Sequence, residues 1–269
     1  MLIDATGRHH AALAADAPAR IVSLVPSITE LLCDLGLAHR IVGRTGFCIH
    51  PNDLVRAIPK IGGTKDVNVE KIRALAPTHL IVNIDENEKP TVELLSAFIP
   101  HVIVTHPQTP RDNLDLYRLL GGIFGAESQA ECLCRAFEHA YAALATRPKS
   151  APRTVLYCIW QDPWMTVSKD TYIANMLAEI GWQVWQAPQP SLAPKPVRYP
   201  VFDWSPSVVD TIDAVLLSTE PYRFTAAHVD ALERQFGIPV QLVDGEMLSW
   251  YGSRAIAGLQ YLRQLGTDG

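Results

Sequence analysis

The chain has no Cys-x-x-Cys pair, no excess of basic residues, and no apolar run near the roughly 18 residues that a membrane-spanning helix needs. Each absence excludes something. Its five cysteines (Cys33, Cys48, Cys132, Cys134 and Cys158) are an odd number, and Cys132 and Cys134 stand two apart in a helical pattern and so face different ways. That argues against a disulfide framework and agrees with a reducing compartment. A formal net charge of -5 provides no broad positive field for phosphates or anionic lipid, so no nucleic-acid partner and no membrane insertion are expected. The opening twenty residues lack a basic start and a continuous apolar stretch, so the chain as written is expected to stay in the cytoplasm; a true start further upstream would make it periplasmic. Also missing are the Gly-x-Ser-x-Gly nucleophile elbow, the P-loop, the His-Glu-x-x-His metalloprotease helix and the Gly-x-Gly-x-x-Gly dinucleotide turn. The segment Gly62-Gly-Thr-Lys65 is a glycine turn without P-loop spacing. No nucleophile is set beside a base, so a binding protein with no cofactor of its own is expected rather than an enzyme.

What is present is a repeated α/β pattern. With 269 residues, 48% of them hydrophobic, the chain can bury a full core. Short apolar strands are expected at 20–24, 40–43, 79–83 and 101–105, and a matching series at 154–158, 214–218 and 240–244, with helical patterns between them. Val22 and Val155 stand 133 apart, Leu80 and Val215 135, and Pro100 and Pro239 139, a nearly constant offset that implies duplicated lobes. Between the halves, 126–146 is rich in Ala and Glu, lacks Gly and Pro, and carries Leu133, Phe137, Tyr141 and Leu144 at helical spacing. The expected fold is therefore α/β: two Rossmann-like lobes joined by one long helix, with a ligand cleft between the lobes. Its boundaries are an N-terminal extension over 1–19, a first lobe over 20–125, a backbone helix over 126–147 and a second lobe over 148–269, with the proline-bearing segment 147–153 as linker.

In open α/β sheets, ligands lie beyond the carboxyl ends of the strands. Those ends select the candidate contacts. In the first half they give Asn83 and Asp85, joined by Phe47, Cys48 and His50 on the loop after 40–43 and by Thr64 and Lys65 on the glycine turn. In the second half they are Trp160, Trp164, Met165, Tyr199, Glu220, Tyr222, Arg223, Glu246, Trp250 and Tyr251. All six tryptophans fall between positions 160 and 250; Trp182 and Trp185 read as core, whereas flat faces with N–H handles at Trp160, Trp164 and Trp250 suit a large planar ligand or the core equally. Glu220-Pro-Tyr-Arg223 and the segment from Glu246 to Arg254 hold mixed polar and aromatic groups that can hydrogen-bond amide or carboxylate decorations. The turn from Asp85 to Lys89 attracts cations or caps the helix that Pro90 opens. Cys48 and His50 are metal-ligand types, and with Glu86 they define an alternative reading as a metal-handling, chelatase-like enzyme, although two residues do not complete a zinc site.

Three phrases carry a resemblance: RIVSLVPSITELLCDLGLAHRIVGRTGFCIHP, IPKIGGTKDVNVEKIRALAPTHLIVN and WMTVSKDTYIANMLAEIGW. From about Arg20 to Leu265 the chain resembles the helical-backbone periplasmic binding proteins that deliver cobalamin, siderophores or haem, and it is most similar to the cobalamin-binding members. The resemblance implies a stiff helix, small closure, cobalamin or a related metal tetrapyrrole as bound ligand, and a monomer that docks on an ABC transporter permease. It places an aromatic at Phe47 and near Trp164 and Met165, and tryptophans at the positions held here by Thr64 and Asn83. It makes Glu70 and Asp203 the candidate docking acids, while His50, by residue type and loop position, is the candidate metal contact.

Overall fold

A computed structural model of the chain describes residues 1–14, 17–146, 151–188 and 197–265. It divides into two compact units. In the first, strands β1 (Ile21–Ser23), β2 (Ile41–Arg44), β3 (His79–Asn83) and β4 (His101–Thr105) form one parallel sheet in the order β2-β1-β3-β4. Parallel strands need crossovers, which here are helices α1 (Pro26–Asp34), α2 (Asn52–Val55), α3 (Val69–Ala74) and α4 (Lys89–Ser96), followed by α5 (Asp112–Phe124) and α6 (Glu127–Ala145). Helices on both faces leave the central strands no polar side, so β1 and β3 are buried at every position. Val22, Leu24, Ile72, Leu80, Val82 and Val102 lie in one core cluster.

The second unit repeats the plan. Strands β5 (Arg153–Trp160), β8 (Ala214–Ser218) and β9 (Val240–Val243) run parallel, with β7 (Trp182–Val184) parallel to the amino half of β5 and β6 (Met165–Thr166) antiparallel to its carboxyl half. Helices α7 (Tyr172–Ala178), α8 (Pro206–Val209), α9 (Ala226–Phe236), α10 (Gly245–Ser249) and α11 (Arg254–Leu265) complete it. The order β7-β5-β8-β9 matches β2-β1-β3-β4. Strand register refines the equivalence read from spacing: Ile21 pairs with His79 as Val155 pairs with Ala214, and Leu80 pairs with Val102 as Val215 pairs with Val240. The α/β class and the two lobes are as expected.

Several boundaries differ. The extension over 1–19 is not separate: Met1–Pro107 belongs to the first unit. Asp4 folds it down by accepting hydrogen bonds from the backbone N–H of Thr6, Arg8 and Val104, from the Thr6 hydroxyl, and from His10 at 3.0 Å, while the Ala5 N–H bonds the Val104 carbonyl at 2.9 Å. The segment thus pairs with the free edge of β4, which a bare sheet would leave open. The long helix runs Glu127–Ala145, and Arg118 holds its start through Glu131 at 2.8 Å. Residues up to Glu138 belong to the first unit and those from His139 to the second. Two short stretches also change unit, Gln108–Pro110 to the second and Tyr251–Arg254 to the first, so contiguous boundaries at 125 and 148 are too simple. Part of the expected linker, 147–150, lies outside the described residues. Among the described residues no helix is long and apolar enough to cross a membrane.

Two histidines open adjacent strands in the first unit and stack on each other, His79 on His101 with ring centroids 4.7 Å apart. Burial, then the charges of His101, His10 and Arg40, push His79 down to about 4 from 6.5. Its folded-state value is depressed, so the neutral ring contributes stability above pH 6.5 that is lost as pH falls toward 4. Urea titrations between pH 7 and pH 4.5 are expected to show stability falling, and His79→Phe to flatten that fall; an unchanged slope in the variant would remove His79 as its source.

Candidate functional site

The loops at the carboxyl ends of the first unit's strands are organised by buried polar side chains. After β2, Arg44 is buried and its guanidinium donates to the carbonyls of Val55 at 2.7 Å, Cys48 at 2.9 Å and Thr45 at 3.1 Å. This curls the 45–50 loop over a fixed cation. The Cys48 thiol points inward, 3.1 Å from the hydroxyls of both Thr29 and Thr45, whereas Phe47 projects outward and is 62% exposed. The Phe47 ring lies against the glycine turn: a Cβ built on Gly63 would be 3.5 Å from it, and Gly46 N–H bonds the Gly62 carbonyl at 2.7 Å. Gly62 has φ +114, and a Cβ there would collide with the Asp66 carbonyl, so that turn requires glycine.

After β3, Asn83 and Asn87 close the loop on itself. Asn83 N–H donates to the Asn87 side chain at 2.8 Å, Asp85 N–H donates to the Asn83 side chain at 2.8 Å, and Asn87 donates to the Thr64 carbonyl at 2.9 Å. The ends of β3 and the glycine turn are therefore one structure. Asp85 lies 3.3 Å from His106 at the end of β4. Glu86 accepts from the Tyr251 hydroxyl at 2.5 Å, and Arg254 grips Glu30 through two bonds of 2.6 and 2.8 Å, so Tyr251–Arg254 is anchored within this unit.

In the second unit, Trp160 ends β5 and is 39% exposed, with Tyr222 edge-on at 5.5 Å. Tyr222 in turn lies 4.6 Å from Phe224, and Phe224 stacks on Trp164 at 5.7 Å. Trp164 continues into Phe202, Trp204 and Phe236 against the core. After β8, Glu220 is fixed at one oxygen: its Oε1 accepts from the Trp250 indole at 2.6 Å and from Ser249 at 3.0 Å. Burial raises the Glu220 carboxyl above its ordinary value, and the neighbouring Glu246 and Asp244 push the same way against the two hydrogen bonds.

The expected contacts thus separate by depth. Phe47, Lys65, Trp160 and Arg223 are exposed, and Thr64, Asp85, Met165, Tyr199, Glu220, Tyr222 and Glu246 are half-buried. Cys48, Asn83, Trp250 and Tyr251 are buried and hydrogen-bonded inside their own unit, so they support the surface instead of forming it. Trp164 belongs to the packed aromatic cluster. The 85–89 turn does not cap α4 through a side chain: Glu88 takes that place without a side-chain bond, with Pro90 in the first turn. Two exposed apolar residues were not foreseen, Ile49 beside Cys48 and Ile84 between Asn83 and Asp85. An aliphatic residue inside a polar strand-end turn is the signal that marks them. Arg44 and Asn87, which shape the first unit's loops, were also missed. Cys48, His50 and Glu86 do not form a metal centre: the thiol is buried, and no group of three or more His, Cys, Asp or Glu suited to a metal occurs among the described residues.

Comparison with known proteins follows the same lines. A family model described as periplasmic binding protein matches residues 21–220. A relative from Bacillus subtilis (strain 168), the uncharacterized ABC transporter substrate-binding lipoprotein YvrC, is 25% identical over 255 residues, covering 92% of this chain and 79% of its own. The vitamin B12-binding protein of Photorhabdus laumondii is 23% identical over 194 residues, covering 72% and 70%. Among solved structures, the periplasmic heme-binding protein RhuT from Roseiflexus sp. RS-1 superposes with a TM-score of 0.75 at 24% identity, covering 94% of this chain and 99% of that one.

The inward thiol has a chemical consequence. Burial pushes Cys33 up to about 12 and also raises Cys48, Cys134 and Cys158, leaving Cys132 as the exposed cysteine. Under native conditions Ellman's reagent is expected to titrate one fast thiol per chain, abolished by Cys132→Ala and untouched by Cys48→Ala. Fast loss of a second thiol that disappears in Cys48→Ala would place that sulfur at the surface.

Proposed function

Because the chain belongs to the periplasmic binding protein family, we propose that it is the substrate-binding component of an ABC-type uptake system for B12-, haem- or siderophore-type ligands, and within that class that it binds cobalamin or a related corrinoid. It holds this ligand without transforming it. The observation that carries the reading is the aromatic surface left in solvent at the strand ends of each unit: Phe47 on its glycine turn in the first, Trp160 with Tyr222 in the second. Large apolar rings at loop positions lose burial energy unless something covers them, and flat faces suit a macrocycle. The named B12- and heme-binding relatives support the same class of ligand. His50, half-buried on the Phe47 loop, is the side chain we assign to contact the ligand's metal.

The permease contacts are assigned to exposed acids. Glu70 lies in the first turn of α3, its side chain 84% exposed and only 3.9 Å-paired to Arg73. In the second unit, α8 is the equivalent helix, and Asp203 is exposed two residues before its Ser205 cap. The position matching Glu70 along the helix is Ser207, so Asp203 takes the role from the preceding turn. Delivery to a permease requires the chain to work outside the cytoplasmic membrane, whereas cytosolic holding does not. Cell fractionation with the intact mass of the mature chain separates the two.

Titrating the purified protein with cyanocobalamin, and in parallel with haemin, is expected to yield a saturable one-to-one complex with a shift of the corrin absorption bands. Phe47→Ala and Trp160→Ala are each expected to weaken it roughly tenfold, the usual cost of losing an aromatic anchor. A flat calorimetric trace with unshifted bands would overturn the assignment.

A further inference from the structure

Glu220 is held more firmly than packing requires. Its Oε1 takes both the Trp250 indole N–H and the Ser249 hydroxyl, and its own backbone carbonyl accepts from Ser218, whose hydroxyl accepts from buried Tyr157. Gly245 closes in behind it: a Cβ at that position would stand 2.6 Å from Glu220 Cγ and 2.9 Å from its amide nitrogen, so the glycine is what lets helix α10 approach the carboxylate. The second oxygen, Oε2, has no hydrogen-bond partner among the described residues. Two residues on, Tyr222 meets exposed Trp160. A half-buried carboxylate fixed at one oxygen and open at the other is a preorganised acceptor beside an aromatic surface.

We propose that Glu220 is the specificity-determining residue of the second lobe, its Oε2 accepting an amide N–H from the ligand's periphery and repelling ligands whose periphery is carboxylate. This rests on the reading of the protein as a tetrapyrrole- or corrinoid-type binder and narrows it. Corrinoids carry amide side chains, whereas haem carries propionates; a fixed carboxylate favours the first by hydrogen bonding and disfavours the second by like charge. The charges that act most on Glu220, those of Glu246 and Asp244, are also negative. A carboxyl whose folded-state value is raised contributes stability at low pH that is lost as pH rises from its ordinary 4.5 through the folded-state value, so Glu220 is not kept ionised for the sake of the fold.

The test compares two ligands with one ring: dicyanocobinamide, with amide side chains, and dicyanocobyrinic acid, with carboxylates in their place. The wild-type protein is expected to prefer the amide form by about tenfold or more, the difference made by one charge-assisted hydrogen bond. Glu220→Gln keeps an acceptor for Trp250 and Ser249 but turns an NH2 outward, so the preference should narrow to below about threefold while the thermal midpoint holds or rises. If Glu220→Gln does not fold, Trp250→Phe, which removes the principal donor and loosens the carboxylate, should narrow the preference in its place. An unchanged preference, or equal weakening of both ligands, overturns the assignment of Glu220. So does a wild-type protein that binds haemin or the carboxylate corrinoid more tightly than the amide form, and that result leaves the broader functional reading standing. Binding of no corrinoid and no haemin overturns both.

Discussion

Parallel pairing is the constraint from which the rest of each unit follows. Once β3 lies parallel between β1 and β4, with His79 opposite Ile21 and His101, every strand of the sheet ends on the same edge. Crossovers must then return each time to the opposite edge, and they do so as helices that cover both faces. Polar and aromatic residues placed just after a strand are therefore collected on one side of the sheet without any further instruction. In the first unit this gathers the 45–50 loop, the Asn83–Asn87 turn and His106. In the second, pairing of β8 between β5 and β9 gathers Trp160, Glu220 and Asp244.

The two units meet this constraint with different polar chemistry. The first fixes its loops with a cation and two amides: Arg44 binds three carbonyls, and Asn83 and Asn87 bind backbone in both directions. Such groups satisfy loop backbone that water would otherwise reach, and they leave Phe47 as the feature presented outward. The second uses a carboxylate with two donors on one oxygen, a glycine at its back and acidic neighbours that raise its energy. Satisfying loop backbone would not require a charge there. The asymmetry between duplicated lobes is thus one of charge: one set of loops is fixed by a buried cation and amides, and the other by a half-buried carboxylate.

Most of the architecture was legible in the sequence, for a physical reason. Strands buried on both faces read as short apolar runs, and duplication repeated those runs at nearly constant spacing, so β1, β3, β4, β5, β8 and β9 stood out. What escaped had no pattern of its own. β6 and β7 are two and three residues long, β7 is indistinguishable from a core segment around Trp182, and both owe their existence to pairing with β5. The N-terminal strap is polar and aperiodic, and it is ordered by one buried side chain, Asp4, acting on the edge of β4 about a hundred positions away. Capping by acidic residues was expected at 85–89, but the amides at Asn83 and Asn87 reached the turn's backbone first.

The candidate site was legible by location but not by depth. Choosing residues at strand ends gathered loops that lie along one edge of each sheet, because that follows from local sequence and sheet direction alone. Which way each side chain turns depends on partners far along the chain: Cys48 turns inward to Thr29, Tyr251 reaches Glu86, and Trp250 reaches Glu220. The same holds for the tryptophans. Trp160 and Trp164 are four residues apart and chemically identical, yet Trp164 stacks on Phe224 and joins a cluster that runs to Phe236, while Trp160 meets the edge of Tyr222 and stays 39% exposed. The difference arises because β5 bends back through β6 at Met165, which draws Trp164 over the core and leaves Trp160 at the rim. Exposure of an aromatic at a strand end is therefore set by the turn that follows it, and the short antiparallel return of β6 is what divides a core ring from a solvent-facing one.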